Sequence, residues 1–271
     1  MVIVIKNIQM NLLLKTVSFV FLFITYLFPV KAQEKLNFTD TLGRKQGHWI
    51  KYDQNKNKLY DGNFKDDVPE GKFVYYMPTG MPWAITIFSQ KGKVGYTQHL
   101  NNEGKITGEG KYINQQKDSL WKFYDGTGKL KSEESYLNGV KHGRSKVYYG
   151  NGKVAEDKTW LNGELDGVCK KYFQSGLLKS YREYVKGMVE GKAQYNYPTG
   201  KIYAEGSYKN DVKDGIWSFY NEDGTVQKKI TYINGRSKNH EDELIMTKEE
   251  EEKLRKQYEQ SDENIDGEGK K

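Results

Sequence analysis

The residues best suited to metal binding or nucleophilic catalysis are four histidines and one cysteine. His48, His99, His142 and His240 lie far apart in the sequence, and Cys169 has no second cysteine to pair with. Zinc sites need ligands at short, regular spacings, and the chain also lacks a nucleophile elbow and a phosphate-binding glycine loop. We therefore predict no catalytic residues, no metal site, no cofactor and no enzymatic activity.

Carboxylates recur at a fixed interval and, taken alone, would suggest an array for acid–base chemistry. They are Asp61, Glu109, Glu133, Asp157 and Glu205. Because they recur with the period of a repeat, a structural role is the better interpretation, since cross-strand charge pairs commonly support sheets. We expect them to pair with the lysines that follow one turn of the repeat, which are Lys105, Lys129, Lys153 and Lys201.

The interval belongs to a 24-residue repeat that runs without insertion or deletion from Gly47 to Lys238. Such a period indicates an array of small structural units. We number the positions of a unit from 1 to 24. The eight units begin at Gly47, Gly71, Gly95, Ser119, Gly143, Gly167, Gly191 and Gly215.

Aromatic residues at fixed positions are predicted to form a core that neighbouring units share. Position 18 is aromatic in all eight units, position 6 is tyrosine in six, and tryptophan leads at position 3. Cys169 occupies position 3 of its unit, so we expect a small buried residue there. An aromatic surface for sugars or lipids is the alternative. The predicted core residues are Trp49, Tyr52, Phe64, Phe73, Tyr76, Phe88, Tyr112, Trp121, Tyr124, Tyr136, Tyr148, Trp160, Tyr172, Tyr184, Tyr208, Trp217, Tyr220 and Tyr232.

Each unit has the pattern of two strands and two turns. In the fourth unit we predict strands over Ser119–Tyr124 and Leu130–Leu137, with a hairpin turn at Asn138-Gly139. The spacing of three between the Trp and Tyr positions breaks strict alternation and predicts a β-bulge. Because a two-stranded unit cannot bury its apolar face alone, the fold class is all-β: an elongated repeat of stacked antiparallel β-hairpins with a short helical or disordered C-terminal tail.

The combined pattern resembles the MORN repeat, and more closely the longer bacterial variant found in YwqK-like antitoxins. Its elements are Gly-x-Trp-x-x-Tyr, Gly-Lys-Leu, an acidic residue and Tyr-x-Asn-Gly-x-x-x-Gly. Ser119 to Gly143 and Gly215 to Gly235 match it best, while Met81 to Leu100 departs most. The resemblance implies scaffolding, membrane association or, by family naming, toxin neutralisation, and it implies no role for a particular residue.

The N-terminus has the layout of a secretory signal peptide. An apolar run, Thr16–Phe28, follows a basic flank and precedes a predicted cut between Ala32 and Gln33. The run is shorter than the ~20 residues of a membrane span, although an uncleaved anchor is the alternative. Translation could start at Met1 or Met10. We predict a signal peptide at 1–32, a linker at 33–46, eight repeats at 47–238 and a charged tail at 239–271.

Charge is distributed unevenly along the predicted mature chain. The segment from Gln33 to Lys238 carries a net charge of +10, and the tail from Asn239 to Lys271 carries −6. A basic repeat surface suits a lipid head group, lipopolysaccharide, an acidic glycan or an acidic protein, with peripheral membrane association possible; export disfavours nucleic acid. Lysines that prevent edge-to-edge aggregation are the alternative explanation. We predict a solvated helix over Glu243–Gln260 and a tail that folds back over the basic surface.

These features together predict an exported, non-catalytic scaffold that binds a protein or an anionic envelope component in the periplasm or outside the cell. An antitoxin-like or immunity-like neutraliser of a toxin or effector is the second hypothesis. An envelope enzyme or its accessory is the third, and it requires a non-repeating domain or a clustered catalytic site, neither of which the sequence contains.

Overall fold

A computed structural model describes residues 35–238 and 248–263. They form one open antiparallel sheet followed by a helix, which confirms the all-β prediction; the predicted signal peptide lies outside the described residues. The strands are β1 (Phe38–Thr39), β2 (Lys45–Tyr52), β3 (Lys58–Lys65), β4 (Val68–Tyr76), β5 (Pro82–Ser89), β6 (Val94–Leu100), β7 (Ile106–Ile113), β8 (Gln116–Tyr124), β9 (Leu130–Leu137), β10 (Val140–Tyr148), β11 (Val154–Leu161), β12 (Glu164–Tyr172), β13 (Leu178–Val185), β14 (Met188–Asn196), β15 (Ile202–Lys209), β16 (Val212–Tyr220), β17 (Val226–Ile233) and β18 (Arg236–Ser237), and the helix is α1 (Lys248–Glu263).

The strands pair strictly in chain order, each antiparallel to the next from β1 to β18. The second strand of the fourth unit has the predicted bounds, Leu130–Leu137, but the first begins at Gln116 rather than Ser119. The predicted linker at 33–46 contains β1 and the start of β2. No helix among the described residues is long and apolar enough to cross a membrane.

The first strand of a unit can begin before position 1 because the residue at position 1 lies in a β-bulge and not in a turn. Between β3 and β4, Asp61 pairs with Val74 and Asn63 with Glu70, so β4 carries extra residues around Gly71. Gly71 has a φ of +68°, where glycine carries no steric penalty. Ser119 takes the same place with a φ of +60°.

A second bulge lies opposite positions 5 and 6, but its extra residue is on the second strand and not on the first, where the Trp–Tyr spacing predicted it. In the fourth unit, Phe123 pairs with Ser132 and Tyr124 with Leu130. The same shift recurs in all eight units, from Lys51/Tyr52 in the first to Phe219/Tyr220 in the last.

The divergent segment Met81–Leu100 keeps the strand pairing but loses the bulge at position 1. β5 and β6 pair from Ala84–His99 to Ser89–Val94 without a shift in register. The extra residues that a bulge would contain lie instead in a longer loop between β5 and β6, in which Gln90, Lys91 and Gly92 all have positive φ.

Because side chains alternate along a strand, the sheet has two different faces. Positions 3, 5, 14, 16 and 18 lie on one side, here called the aromatic face. Positions 4, 6 and 15 lie on the other, here called the tyrosine face. The aromatic face holds the main apolar clusters, such as Trp217 with Phe219, Ile230 and Tyr232.

Rings on the aromatic face lie flat across glycines of the preceding unit. A Cβ on Gly62 would stand 2.5 Å from Phe73, and Cβ atoms on Gly110 and Gly206 would likewise overlap the rings of Trp121 and Trp217. Position 16 is glycine in these units because the aromatic residue at position 3 of the next unit fills its space.

Candidate binding face

The predicted core residues fall into three exposure classes. Phe73, Trp121, Tyr184, Trp217 and Tyr232 are buried, and Tyr52 is 52% exposed. The prediction that Tyr52 belongs to the core was wrong. Its counterparts contact the acidic position of the preceding unit, and no unit precedes the one that contains Tyr52. The partly buried residues are Trp49, Phe64, Tyr76, Phe88, Tyr112, Tyr124, Tyr136, Tyr148, Trp160, Tyr172, Tyr208 and Tyr220.

The position 6 tyrosines lie on the tyrosine face and hydrogen-bond the recurring carboxylates. The hydroxyl of Tyr124 donates to Glu109 at 2.7 Å, and that of Tyr148 donates to Glu133 at 2.7 Å. Tyr220 donates to Glu205 in the same way at 2.6 Å. Burial, and then the hydrogen bond to the carboxylate, raises the pKa of Tyr124 to about 12.

The predicted pairing of these carboxylates with the turn lysines was wrong. Lys105 and Lys129 donate instead to the carbonyls of Gly126 and Gly150 in the next turn, each at 3.3 Å. Position 11 immediately precedes a strand and position 15 lies four residues further along the chain, about 13 Å away at ~3.3 Å per residue. The next turn in the stack is the nearer acceptor. Lys153 and Lys201 contact the carbonyls of Ser175 and Asp223.

The other two carboxylates bind basic side chains of their own unit. Asp157 pairs with Arg144, and Asp61 accepts a hydrogen bond from His48 at 2.8 Å and one from Lys58 at 3.4 Å. All five recurring carboxylates therefore have structural partners on the tyrosine face. Among the described residues, no group of three or more His, Cys, Asp or Glu side chains could hold a metal ion.

The aromatic face changes character in the middle of the sheet. At position 3, the fifth and sixth units have Ser145 and Cys169 in place of a large ring, and the seventh unit has an alanine. The facing position 16 residues, elsewhere glycine in three units, are here Glu134, Lys158 and Arg182. A long charged chain thus replaces glycine opposite each of these three small residues, whereas Thr97, the other position 3 residue without a ring, faces Thr86. We call Glu134, Ser145, Lys158, Cys169 and Arg182 the polar centre.

The polar centre is a continuous row across neighbouring strands. Glu134 pairs with Ser145, Ser145 with Lys158, Lys158 with Cys169, and Cys169 with Arg182. Cys169 is 3% exposed, which confirms the prediction of a small buried residue, and burial raises the pKa of its thiol.

Carboxylates in and beside the polar centre already have partners. Glu134 accepts hydrogen bonds from Tyr136 at 2.5 Å and pairs with Lys141 at 3.2 Å. Burial raises the pKa of Glu134, but these contacts outweigh it and leave that pKa below its usual value. Glu156 pairs with Lys158 and, at 3.2 Å, with Lys171.

Arg182 differs from the other cations of this region. Its guanidinium lies 5.6 Å from the ring centroid of Tyr184 and hydrogen-bonds the side chain of Tyr195, while its Nε is buried with no hydrogen-bond partner among the described residues. The charges of Glu134 and Glu156 are already balanced by Lys141, Lys158 and Lys171. Arg182 therefore adds a further positive charge to the row.

Lysines also cover the aromatic clusters on both sides of the polar centre. The ammonium of Lys117 lies 4.7 Å from the Trp121 ring centroid, and that of Lys213 lies 4.7 Å from Trp217. Burial lowers the pKa of both lysines. Their stems add apolar cover while their charges stay at the surface, which makes the face cationic along its length.

Sequence reasoning missed the polar centre, although a signal was present. Position 16 departs from glycine in the same hairpins whose neighbours lose the ring at position 3. That exchange becomes visible only when the two positions are known to lie side by side.

Comparison with known families bears on the hairpins themselves. Four segments match the family model of a MORN repeat variant. The matched residues are 117–138, 141–162, 189–210 and 213–234. The four matched segments flank the sixth unit, which contains Cys169 and Arg182. No curated protein sequence matches the chain.

Solved structures with partial likeness are larger proteins. TarM shares 17% identity over 41% of this chain and 21% of its own, with a TM-score of 0.30. A mutant of S. aureus TarM in complex with Fondaparinux, alpha-GlcNAc-glycerol and UDP shares 15% identity over 35% of this chain and 19% of its own, with a TM-score of 0.28. The GtfA/B complex shares 13% identity over 33% of this chain and 18% of its own, with a TM-score of 0.25. This chain spans about a fifth of the length of each, and overlaps this small carry no argument about function.

Proposed function

We propose that this MORN-repeat scaffold is exported, has no catalytic role, and binds an anionic ligand at the polar centre of its aromatic face. The observation that carries the proposal is Arg182, a cation at one end of a row whose carboxylates are paired with other side chains. An arginine without a carboxylate partner on the protein is available to bind an anionic oxygen of a ligand, and partial burial strengthens that interaction relative to a fully solvated cation.

Three sources of anionic oxygen suit an exported protein: lipid head groups, lipopolysaccharide and acidic glycans. The lysines over the aromatic clusters would steer each of them to the same face. A protein ligand with an acidic surface uses the same chemistry. An antitoxin-like role rests on the naming of the bacterial MORN variant alone.

The test compares Arg182→Ala with Arg236→Ala, which removes one arginine from the exposed end strand β18. Binding is measured by co-sedimentation with phosphatidylglycerol vesicles and with lipopolysaccharide, and by affinity electrophoresis in an acidic glycan. Charged hydrogen bonds contribute about 1.5–3 kcal/mol, so Arg182→Ala should weaken binding about 10- to 100-fold, and Arg236→Ala should leave it nearly unchanged. The probe that the wild-type protein binds identifies which of the three sources supplies the anionic oxygen.

Equal binding by both variants would show that the polar centre is not the site. If the wild-type protein ignores all three probes at low salt, the cationic face serves solubility only. Export has its own test, which is N-terminal sequencing of the protein from its native host. A chain that begins at Gln33 supports export, and one that begins at Met1 or Met10 contradicts it.

A further inference from the structure

α1 packs on the aromatic face, beyond the polar centre and along the edge formed by the turns after position 6. Of the helix predicted over Glu243–Gln260, the structure describes Lys248 onward and extends it to Glu263; Leu254, Gln257 and Tyr258 are partly buried against the sheet, and its other described side chains are solvated as predicted. We propose that α1 occupies a docking site for an acidic helix of a partner protein, and that the partner binds by displacing α1. This inference is independent of the anionic ligand proposed above.

One tyrosine anchors α1 on three different parts of the sheet. The ring of Tyr258 stacks on Phe173 with centroids 5.6 Å apart and planes 13° apart. Its hydroxyl donates to the carbonyl of Asn196 at 2.9 Å. The ammonium of Lys179 lies 5.4 Å from the Phe173 ring and 5.1 Å from the Tyr258 ring. Burial raises the pKa of Tyr258 to about 12. We call Phe173, Lys179 and Asn196 the helix slot.

The sequence departs from the repeat pattern at the positions beside the helix slot. At position 7 the first, third and fourth units have Asp53, Asn101 and Asp125, whose side chains accept backbone N–H bonds that close the following turn. The fifth to seventh units replace this turn-capping residue with an aromatic one: Tyr149, Phe173 and Tyr197. Phe173 and Tyr197 lie beside α1, and the hydroxyls of Tyr149 and Tyr197 also donate to the carbonyls of Tyr172 and Tyr220 in the next unit.

α1 is suited to exchange because its apolar anchor is small. Among its sixteen residues, Leu254 and Tyr258 are the only apolar ones. Isolated helices of this length are marginal in water, so α1 depends on its contacts with the sheet, among them those of Leu254 and Tyr258. A cavity of about 210 Å³ remains between helix and sheet, lined by Leu254, Gln257, Tyr203 and Gln227 among others. A partner helix with larger side chains would fill it.

Charge indicates what kind of helix fits. α1 contains seven acidic and four basic residues. The slot itself contains Lys179, and the turns on this edge carry Lys153 and Lys201, although Glu222 of the next turn and Lys253 of α1 line the cavity between helix and sheet. An acidic helix with an aromatic residue four positions after a leucine therefore matches the slot in both shape and charge.

The experiment uses the full chain and a fluorescein-labelled peptide of residues 241–271, with binding followed by anisotropy. Wild-type protein should bind the peptide weakly because its own α1 fills the slot. Tyr258→Ala protein should bind it about tenfold more tightly, as expected if α1 is docked about nine-tenths of the time. Glu259→Ala, an exposed neighbouring change, should behave as wild type.

Three controls identify the site and the partner class. A peptide that itself carries Tyr258→Ala should not bind. Lys179→Glu, placed in the Tyr258→Ala protein, should weaken peptide binding, whereas Arg182→Ala should not, which separates the slot from the polar centre. A designed acidic helix that keeps only the Leu254–Tyr258 spacing should bind, and its lysine-rich counterpart should not. Circular dichroism checks that each variant is folded.

Equal peptide affinity for wild-type and Tyr258→Ala protein would overturn the proposal, as would failure of the designed acidic helix to bind the Tyr258→Ala protein. Neither result depends on whether lipids, lipopolysaccharide or glycans bind the polar centre.

Discussion

The ring-over-glycine contact yields a quantitative test of how the repeats stack. In Gly110→Ala, the new Cβ would lie 2.6 Å from Cγ of Trp121 and closer still to other ring atoms, whereas ordinary contacts begin near 3.4 Å. The ring cannot move aside easily. It is fully buried, it packs edge-on against Tyr112 with centroids 4.8 Å apart, and its Nε1 donates to the carbonyl of Lys111 at 3.0 Å.

Overpacking of this kind costs about 1–3 kcal/mol, and the lower entropy of an unfolded chain with alanine offsets roughly 0.4–1 kcal/mol of it. We expect Gly110→Ala to lower the free energy of unfolding by about 1–2 kcal/mol. Trp121→Ala should lower it by about 3–5 kcal/mol. In the double variant the clash is absent, so the Gly110 change should cost nothing or stabilise slightly.

The assay is urea denaturation followed by circular dichroism, applied to both single variants and the double variant. Gly126→Ala is the matched control, because a Cβ there meets nothing within 4 Å and the backbone is not left-handed. It should change the free energy of unfolding by no more than about 0.5 kcal/mol. If Gly110→Ala costs the same with and without the Trp121 ring, the units do not stack as described.

Three further predictions concern single positions. Ser119→Gly should raise the free energy of unfolding by about 0.5–1 kcal/mol in the same assay, because Ser119 holds a φ of +60°; a loss of stability would contradict the strain argument. Cys169 should react with a thiol reagent only after unfolding, and rapid labelling of the native protein would contradict its burial. Hydrogen bonds, the largest from Tyr124, lower the pKa of Glu109, so its contribution to stability is present above the usual glutamate pKa and is lost as pH falls through the lowered value. Glu109→Gln should therefore unfold with a weaker dependence on pH between about 5 and 3 than the wild-type protein, and an unchanged dependence would refute the linkage.

Local patterns account for most of the fold. Asn138-Gly139 marks a hairpin turn because both residues accept positive φ, and the alternation from Leu130 to Leu137 sets a strand with the bounds that the structure shows. Each of these features depends on neighbours in the chain, so one sequence suffices to predict it.

Contacts between units were predicted less well. Glu133 was expected to meet a turn lysine and instead accepts a hydrogen bond from Tyr148 of the next unit. The repeat pattern shows that both residue types recur, but not which of them face each other. That depends on strand register and on two bulges per unit, each of which changes which residues are opposed.

The sequence by itself determined the period, the strands, the turns and the burial of Cys169, because these follow from backbone preferences and from the residue type shared by a column. Tertiary structure alone decided that Glu134, Lys158 and Arg182 form one row, and that Tyr258 reaches Phe173. The reason is physical: stacking brings together residues from different hairpins, and α1 meets the sheet 85 residues after the ring it covers. Local propensity carries no information about either encounter, and the candidate binding surfaces consist of such encounters.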